Sequence, residues 1–532
     1  MGDIVHSTPA VVGHPSALYD SVNRDSTYAE YRELYQDRRQ MVYVGGNDGM
    51  VHAFNAGFWD DSNDKYTTSE NGATAHPLGS ELWAYIPRSA LPHLQWLKDT
   101  NYQHVYYVDG EPIVFDAAIF ANDADHPHGW GTVLAIGMRL GGGAFDVDTD
   151  DDGSTDQTLY SSYILLDITN PESPPSLIAE ISHINMGYTT SIPAVIKKRT
   201  PSVANDYSAT LSTNDWQLIF GSGPTSLTDI TSTQDSNAFV GDLAAKDWDS
   251  NYHDDIAYFG IVGGSSASPT GGVMRMRFDP SASSLSSLGV STLLYTGLPT
   301  IAKPLVSNDG MGRAWIHFGT GRMLTGGDNS NSDQQKYFGV IEDASYGTLA
   351  MTDLFNSTDI NVFNNNNIDD NGSAFDLPSG TPISNFDQLA AAIPANTSGW
   401  LRDLEYSGSD PSGRNITHSA KVRNVLFFTE YTPATSTCQP EGSSRLFGLD
   451  YRTGTALPHV VFDTDTTVTN NGGELSNPEI DLGRGMASAP VIRVTTNKEA
   501  AIFTQKGAGV QSDKASLGST VTGRQTWRQI KF

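Results

Sequence analysis

The 532-residue chain predicts an all-β fold, a β-propeller of about seven blades. Three observations carry this reading. Short apolar runs flanking glycine-rich turns recur along the chain, a proline-opened aliphatic run precedes most of them, and no linker rich in proline, serine or charge interrupts the series. A sandwich of two sheets has similar strands but lacks such a period. Residues 1–532 are therefore expected to form a single propeller domain.

The clearest unit is Met41-Val42-Tyr43-Val44-Gly45-Gly46-Asn47-Asp48-Gly49-Met50-Val51-His52-Ala53-Phe54. Its β-branched and aromatic residues suit a half-buried pleated strand, and Asn47-Asp48-Gly49 supplies the backbone angles of a tight turn. Related units follow at Val133–Gly137, Leu218–Gly221, Ile256–Gly260, Trp315–Gly319, Val425–Phe428 and Ala501–Phe503. The proline-opened runs are Thr8-Pro9-Ala10-Val11-Val12, Glu111-Pro112-Ile113-Val114, Ile192-Pro193-Ala194-Val195, Lys303-Pro304-Leu305-Val306 and Ala489-Pro490-Val491-Ile492. Proline cannot donate to a ladder, so these runs belong at strand starts or sheet edges, as in the innermost strand of a blade. The segment Val5 to Val12 is expected to join C-terminal strands and complete the ring. Three polar stretches read as insertions on the propeller faces, where function concentrates: Asp60 to Pro77, Asp146 to Gln157 and Ser357 to Thr397.

A formal charge of −29 argues against a nucleic-acid partner, because phosphate binding needs clustered Lys and Arg. Cys438 stands alone, so no internal disulfide is possible. No apolar run approaches a membrane span, and Met1-Gly2-Asp3-Ile4 does not start a signal peptide. An exported protein would thus have this chain as part of a longer precursor. Sequons at Asn356, Asn371, Asn396 and Asn415 match what chance provides in a chain rich in Asn, Ser and Thr. Catalytic signatures are absent: there is no Gly-x-Ser-x-Gly elbow, His-Glu-x-x-His helix or phosphate-binding loop.

Two loops carry metal-ligand spacing. Asp247-Trp248-Asp249-Ser250-Asn251-Tyr252-His253-Asp254-Asp255 places oxygen side chains at relative positions one, three, five and nine, directly before a strand. Calcium takes six to eight oxygens; in a curled loop alternate side chains point inward and a backbone carbonyl near position seven completes the ring. Asp148-Thr149-Asp150-Asp151-Asp152-Gly153-Ser154-Thr155-Asp156 repeats the spacing through Asp148, Asp150, Asp152 and Asp156, with a glycine at position six where a sharp turn needs one.

Five ordered strings resemble the C-terminal domain of the PilY family of type IV pilus assembly and tip-adhesin proteins. They are Gly2-Asp3-Ile4-Val5-His6-Ser7-Thr8-Pro9, the Val42–Phe54 hairpin, Glu81-Leu82-Trp83-Ala84-Tyr85-Ile86-Pro87, Tyr102–Gly110 and Gly523-Arg524-Gln525-Thr526-Trp527-Arg528. The resemblance implies a modified seven-bladed propeller, a pilus-tip or cell-surface location reached by export through the periplasm, minor pilins as partners, and roles in pilus biogenesis, retraction control and attachment to a host or surface ligand. It also implies a calcium site on Asp247, Asp249, Asn251 and Asp255, with His253 contributing its carbonyl. In the family an N-terminal region often similar to a von Willebrand A domain precedes the propeller. Two features depart from the family: the hairpin after Phe259 is lengthened by Gly263-Gly264-Ser265-Ser266-Ala267-Ser268-Pro269, and no Arg-Gly-Asp string occurs.

The expected function is a calcium-responsive binding module and not an enzyme. The enzyme-class alternative is a pyrroloquinoline-quinone dehydrogenase-like propeller, faintly echoed by Gly448-Leu449-Asp450-Tyr451-Arg452-Thr453-Gly454 but lacking the vicinal cysteine pair of alcohol-oxidising members. A lectin-like binding propeller is the third reading.

Overall fold

A computed structural model describes residues 2–518 apart from 61, 64, 70–71, 198–215, 225–237, 249–252, 265–268, 279–288, 310, 343–344, 371, 374, 377–381, 435–440, 463–468, 471, 495–498 and 507–508. Cys438, Asn371 and the string Gly523 to Arg528 therefore lie outside the described residues.

The alternating and apolar runs form antiparallel sheets in chain order, each strand pairing mainly with its sequence neighbour. Blade one comprises Ala10–Val12, Gln40–Gly45, Val51–Asp60 and Glu81–Tyr85, and blade two Ile113–Ala118, Trp130–Gly137, Tyr163–Asp167 and Ser176–Ile181. Blade three comprises Phe239–Lys246, Ile256–Gly264, Pro269–Arg277 and Gly289–Tyr295. Blade four is built on Leu305–Asn308, Ala314–Gly319, Lys336–Ile341 and Gly399–Asp403, blade five on Ala420–Val422, Val425–Thr432, Ser443–Asp450 and Glu479–Arg484. Blade six has three strands, Val491–Val494, Glu499–Lys506 and Gly509–Ser516.

The fold is thus an all-β propeller, but among the described residues it shows six blades, not seven. The hairpin counted at Leu218–Gly221 is a two-stranded ribbon, Ala194–Lys197 with Trp216–Ile219, between blades two and three. Its local signal matches that of a blade because strand and turn propensities are local, whereas a blade needs further strands to pair alongside. A second expectation also changes. The first strand does not pair with C-terminal strands among the described residues; Ala10, Val11 and Val12 pair with Tyr43, Val42 and Met41 of their own blade.

Apolar faces of successive sheets pack on each other, which sets the ring order. Tyr43 and Val51 of blade one share a core with Leu134 and Ile164 of blade two. Leu243 and Phe259 of blade three pack with Ala194 of the ribbon. Tyr258 and Val273 pack with Phe318 and Phe338 of blade four, Trp315 and Trp400 with Phe428 and Phe447 of blade five, and Phe427 and Leu446 with Ile502 of blade six. Burial of these large side chains, at about 25 cal/mol per Å² of apolar surface, is the main force holding the blades together.

The insertions are more structural than their polarity predicts. Within the Ser357 to Thr397 stretch, helix Phe386–Asn396 starts on Asn385, whose side chain accepts from the Gln388 N–H at 3.0 Å, and sinks Phe386, Leu389 and Ile393 into the core between blades four and five. Between the first two strands of blade one, helix Ser26–Leu34 is capped by Asp25 and buries Tyr28 and Tyr31 on Trp130. Tyr28, Tyr31 and Tyr35 follow helical spacing, a signal present in the sequence. Asn415 is buried and donates to the Thr417 and Thr429 carbonyls at 3.1 and 2.9 Å, so its sequon is closed to a glycan.

Gly454 gives a test of packing between blades four and five. Its φ is +68° and a Cβ there would lie 2.2 Å from the Trp400 ring, which is fully buried and donates to the Tyr451 carbonyl at 2.9 Å. Gly454→Ala is expected to destabilise the fold by about 1–3 kcal/mol through overpacking and left-handed backbone strain. A thermal midpoint equal to that of the unsubstituted chain would contradict this packing.

Candidate metal centre and central channel

Asp148 to Asp156 forms the tip of a hairpin inserted in blade two, whose arms Phe145–Val147 and Gln157–Leu159 pair in register. Tip curvature follows from the residues that tolerate it, with Asp151 at φ 62° and Gly153 at φ 87°. The Asp148 carboxylate accepts backbone N–H groups of Asp151 and Gly153, both at 2.7 Å, so the chain curls around it. Asp156 accepts the Thr149 N–H at 2.7 Å and its hydroxyl at 2.5 Å.

As a result Asp148, Asp150 and Asp156 each present an oxygen within 4.8 Å of the others. This donor set, all carboxylate, exposed and built on a tight loop, fits a hard cation such as calcium. Asp152, the fourth residue of the spacing, is not in the group; its carboxylate accepts the Ser154 N–H at 2.8 Å and the Ser154 hydroxyl. Backbone N–H donation, first from Gly153, holds Asp148 below the usual carboxylate range, and the Thr149 hydroxyl does the same for Asp156.

The hairpin rests on an aromatic base. Phe145 stacks on buried His93 at 4.4 Å between ring centroids, His93 stacks on Tyr107 at 4.7 Å, and Trp96 meets Phe145 edge-on at 5.8 Å. Burial pushes His93 down to about 4, keeping it neutral as a packing ring.

The 247–255 loop is described at its ends. Asp249 and Asn251 lie outside the described residues. Asp255 accepts the Trp248 N–H at 2.7 Å, and its own N–H donates to the Lys246 carbonyl at 3.0 Å. His253 is buried, and Asp254 accepts the Lys197 N–H at 2.7 Å. Both ends of the loop are therefore fixed to blade three and the ribbon, with Asp247 close to the start of the curl.

Sequence reasoning did not find a second cluster, in the central channel. The starts of the innermost strands and the ends of their neighbours converge there around a cavity of about 710 Å³, lined by residues from blades one to six, including Ser7, Glu111, Ser191, Asp242, His418 and Ser488. Here His6 Nδ1 lies 2.6 Å from Asp109, and Arg139 lies 3.5 Å from the same carboxylate. Glu111 stands directly before a strand-opening proline, as does Lys303, which acts on it electrostatically. Aligning the repeats on that proline is the signal that would have found Glu111.

Residues 1–265 match the family model of the PilY1 β-propeller domain. A type IV pilus biogenesis factor PilY1 homolog of Xylella fastidiosa is 28% identical over 550 residues, covering 100% of this chain and 39% of the relative. The chain resembles the PilY family. The type IV pilus biogenesis factor PilY1 of Pseudomonas aeruginosa strain PAO1 is 23% identical over 597 residues, covering 100% of this chain and 45% of its own length. The chain thus spans less than half the length of these relatives. The crystal structure of the P. aeruginosa PilY1 C-terminal domain superposes with a TM-score of 0.60 at 18% identity, covering 96% of this chain and 100% of that domain. That likeness shows the family's propeller fold. The names of these relatives describe biogenesis factors, not enzymes. Among the described residues no helix is long and apolar enough to cross a membrane.

Proposed function

We propose that this propeller is a calcium-binding module of a type IV pilus biogenesis factor, acting at the pilus tip or cell surface in pilus extension, retraction and attachment. The convergence of Asp148, Asp150 and Asp156 carries the calcium reading, and similarity to the PilY family carries the pilus reading. Calcium is also assigned to the 247–255 loop through Asp247, Asp249, Asn251, Asp255 and the His253 carbonyl, on the strength of the family resemblance. Minor pilins of the tip complex and a host or surface ligand are the proposed partners; the chemistry is binding, with no catalytic step.

Without a cation, the carboxylates at each loop repel one another across short distances; a divalent ion turns that repulsion into attraction and orders the loop. In the 148–156 hairpin this ordering is passed to the Phe145, His93 and Trp96 base, so the surface presented to a partner depends on occupancy.

Calorimetric titration is expected to show two calcium ions per chain, with affinities on the order of micromolar to millimolar as in extracellular modules. Limited proteolysis between Asp146 and Gln157 should be suppressed by calcium and restored by a chelator. One ion at saturation, with cleavage indifferent to chelator, would leave this hairpin an ordinary acidic turn.

A further inference from the structure

The string Gly523 to Arg528 has no part in the calcium reading, and the strand that precedes it has an open edge. Blades one to five each carry a fourth strand that comes later in the chain than the third and pairs with it antiparallel. Blade six stops at its third strand, Gly509–Ser516, which among the described residues pairs with Glu499–Lys506 alone.

Hydrogen bonding fixes which backbone groups of that strand point outward. Ser516 donates its N–H at 2.8 Å to the Val461 carbonyl, away from its sheet partner. At the other end Gln505, opposite Val510, donates its N–H at 3.0 Å to the Ser488 hydroxyl, so this pair exchanges no bond across the sheet. Backbone groups of an antiparallel strand alternate sides. Val510, Ser512 and Lys514 therefore also turn their N–H and C=O groups outward, where no described residue bonds them. The Val510 side chain on this edge is 69% exposed.

The chain that follows fits this edge. Leu517 packs with Val461 and Phe462, and Gly518 takes a φ of +70°, an angle suited to a reversing turn. Residues 519–525 offer a connection similar in length to 168–175, which joins the third and fourth strands of blade two. Thr526-Trp527-Arg528-Gln529-Ile530-Lys531-Phe532 is rich in strand-forming residues and long enough to pair from Val510 to Lys514. As a strand it would place Trp527 on one face and Ile530 and Phe532 on the other.

We propose that the open edge of blade six binds residues 526–532 of this same chain as an antiparallel fourth strand, which gives the string Gly523 to Arg528 the task of closing the last blade. Tethering favours this occupant over a strand from another molecule, because a short linker holds its segment at an effective concentration on the order of millimolar.

Hydrogen exchange of the intact chain tests this at the outward amides. Val510, Ser512 and Lys514 are expected to exchange about a hundredfold or more slower than unprotected amides. Truncation after Gly518 should remove that protection, and a synthetic peptide of residues 519–532 should restore it where a scrambled peptide does not. Trypsin should also cleave the intact chain slowly at Arg524 and Arg528 under native conditions, a readout that needs no variant and decides the matter if the truncated chain does not fold. Unprotected amides in the intact chain, or rapid cleavage at both arginines, would overturn the proposal. Protection that disappears on dilution together with a sedimenting dimer would make a second copy the occupant, and protection that survives truncation would assign the edge to another part of the chain. Either result also overturns it.

Discussion

Arg275→Met is expected to destabilise the fold by about 3–5 kcal/mol, the range for breaking one side of a buried ion pair. Arg275 is fully buried in the third strand of blade three. Its guanidinium donates to Glu342 at 2.7 Å, to the Ser291 hydroxyl at 3.1 Å, to the Gly347 carbonyl at 3.1 Å and to the Tyr346 carbonyl. Glu342, 4% exposed, also accepts the Tyr258 hydroxyl at 2.9 Å. Removing the cation leaves a carboxylate stranded between blades three and four, where no water can solvate it. The double variant Arg275→Met, Glu342→Leu should recover much of the loss, since two apolar groups of similar shape need no partner. Denaturation midpoints of the single and double variants check this; a single variant as stable as the parent would mean the pair does not hold the two blades.

Asp148→Asn should weaken calcium binding at the 148–156 hairpin by about tenfold or more, because it removes one formal charge from the ligand set and also one of the two oxygens that accept the Asp151 and Gly153 N–H groups shaping the loop. Asp156→Asn should act similarly. Asp152→Asn should change affinity by only about threefold or less, a long-range charge effect, since that carboxylate is engaged by Ser154. Titration of the three variants under one set of conditions separates them. Equal losses in all three would place Asp152 among the ligands and contradict the observed geometry.

The two loops show how far a pattern reaches. Spacing alone marked both, because ligand geometry in a short loop depends on which side chains alternate inward, a property of neighbours in sequence. In 148–156 the fold brings Asp148, Asp150 and Asp156 together, whereas Ser154, two residues on, engages Asp152, a contact that spacing does not encode. The helix at Ser26–Leu34 was legible in its tyrosine spacing yet hidden among stronger strand signals. The repeat count is instructive in the opposite direction. Leu218–Gly221 carries the same local signal as the six blades, but among the described residues it pairs only as a two-stranded ribbon, and pairing is a property of the sheet.

By itself, then, the sequence determined the elements whose cause is local: the hairpins, the glycine turns, the proline-opened inner strands, the acidic loops and the family strings. These follow from backbone sterics and side-chain preference over a few residues. Tertiary structure alone decided the number of blades, the buried Arg275 and Glu342 pair, and the meeting of Glu111 and Asp242 in one channel. Each of those depends on residues more than fifty positions apart, brought together only when the apolar faces of successive sheets pack and the chain bends into a ring.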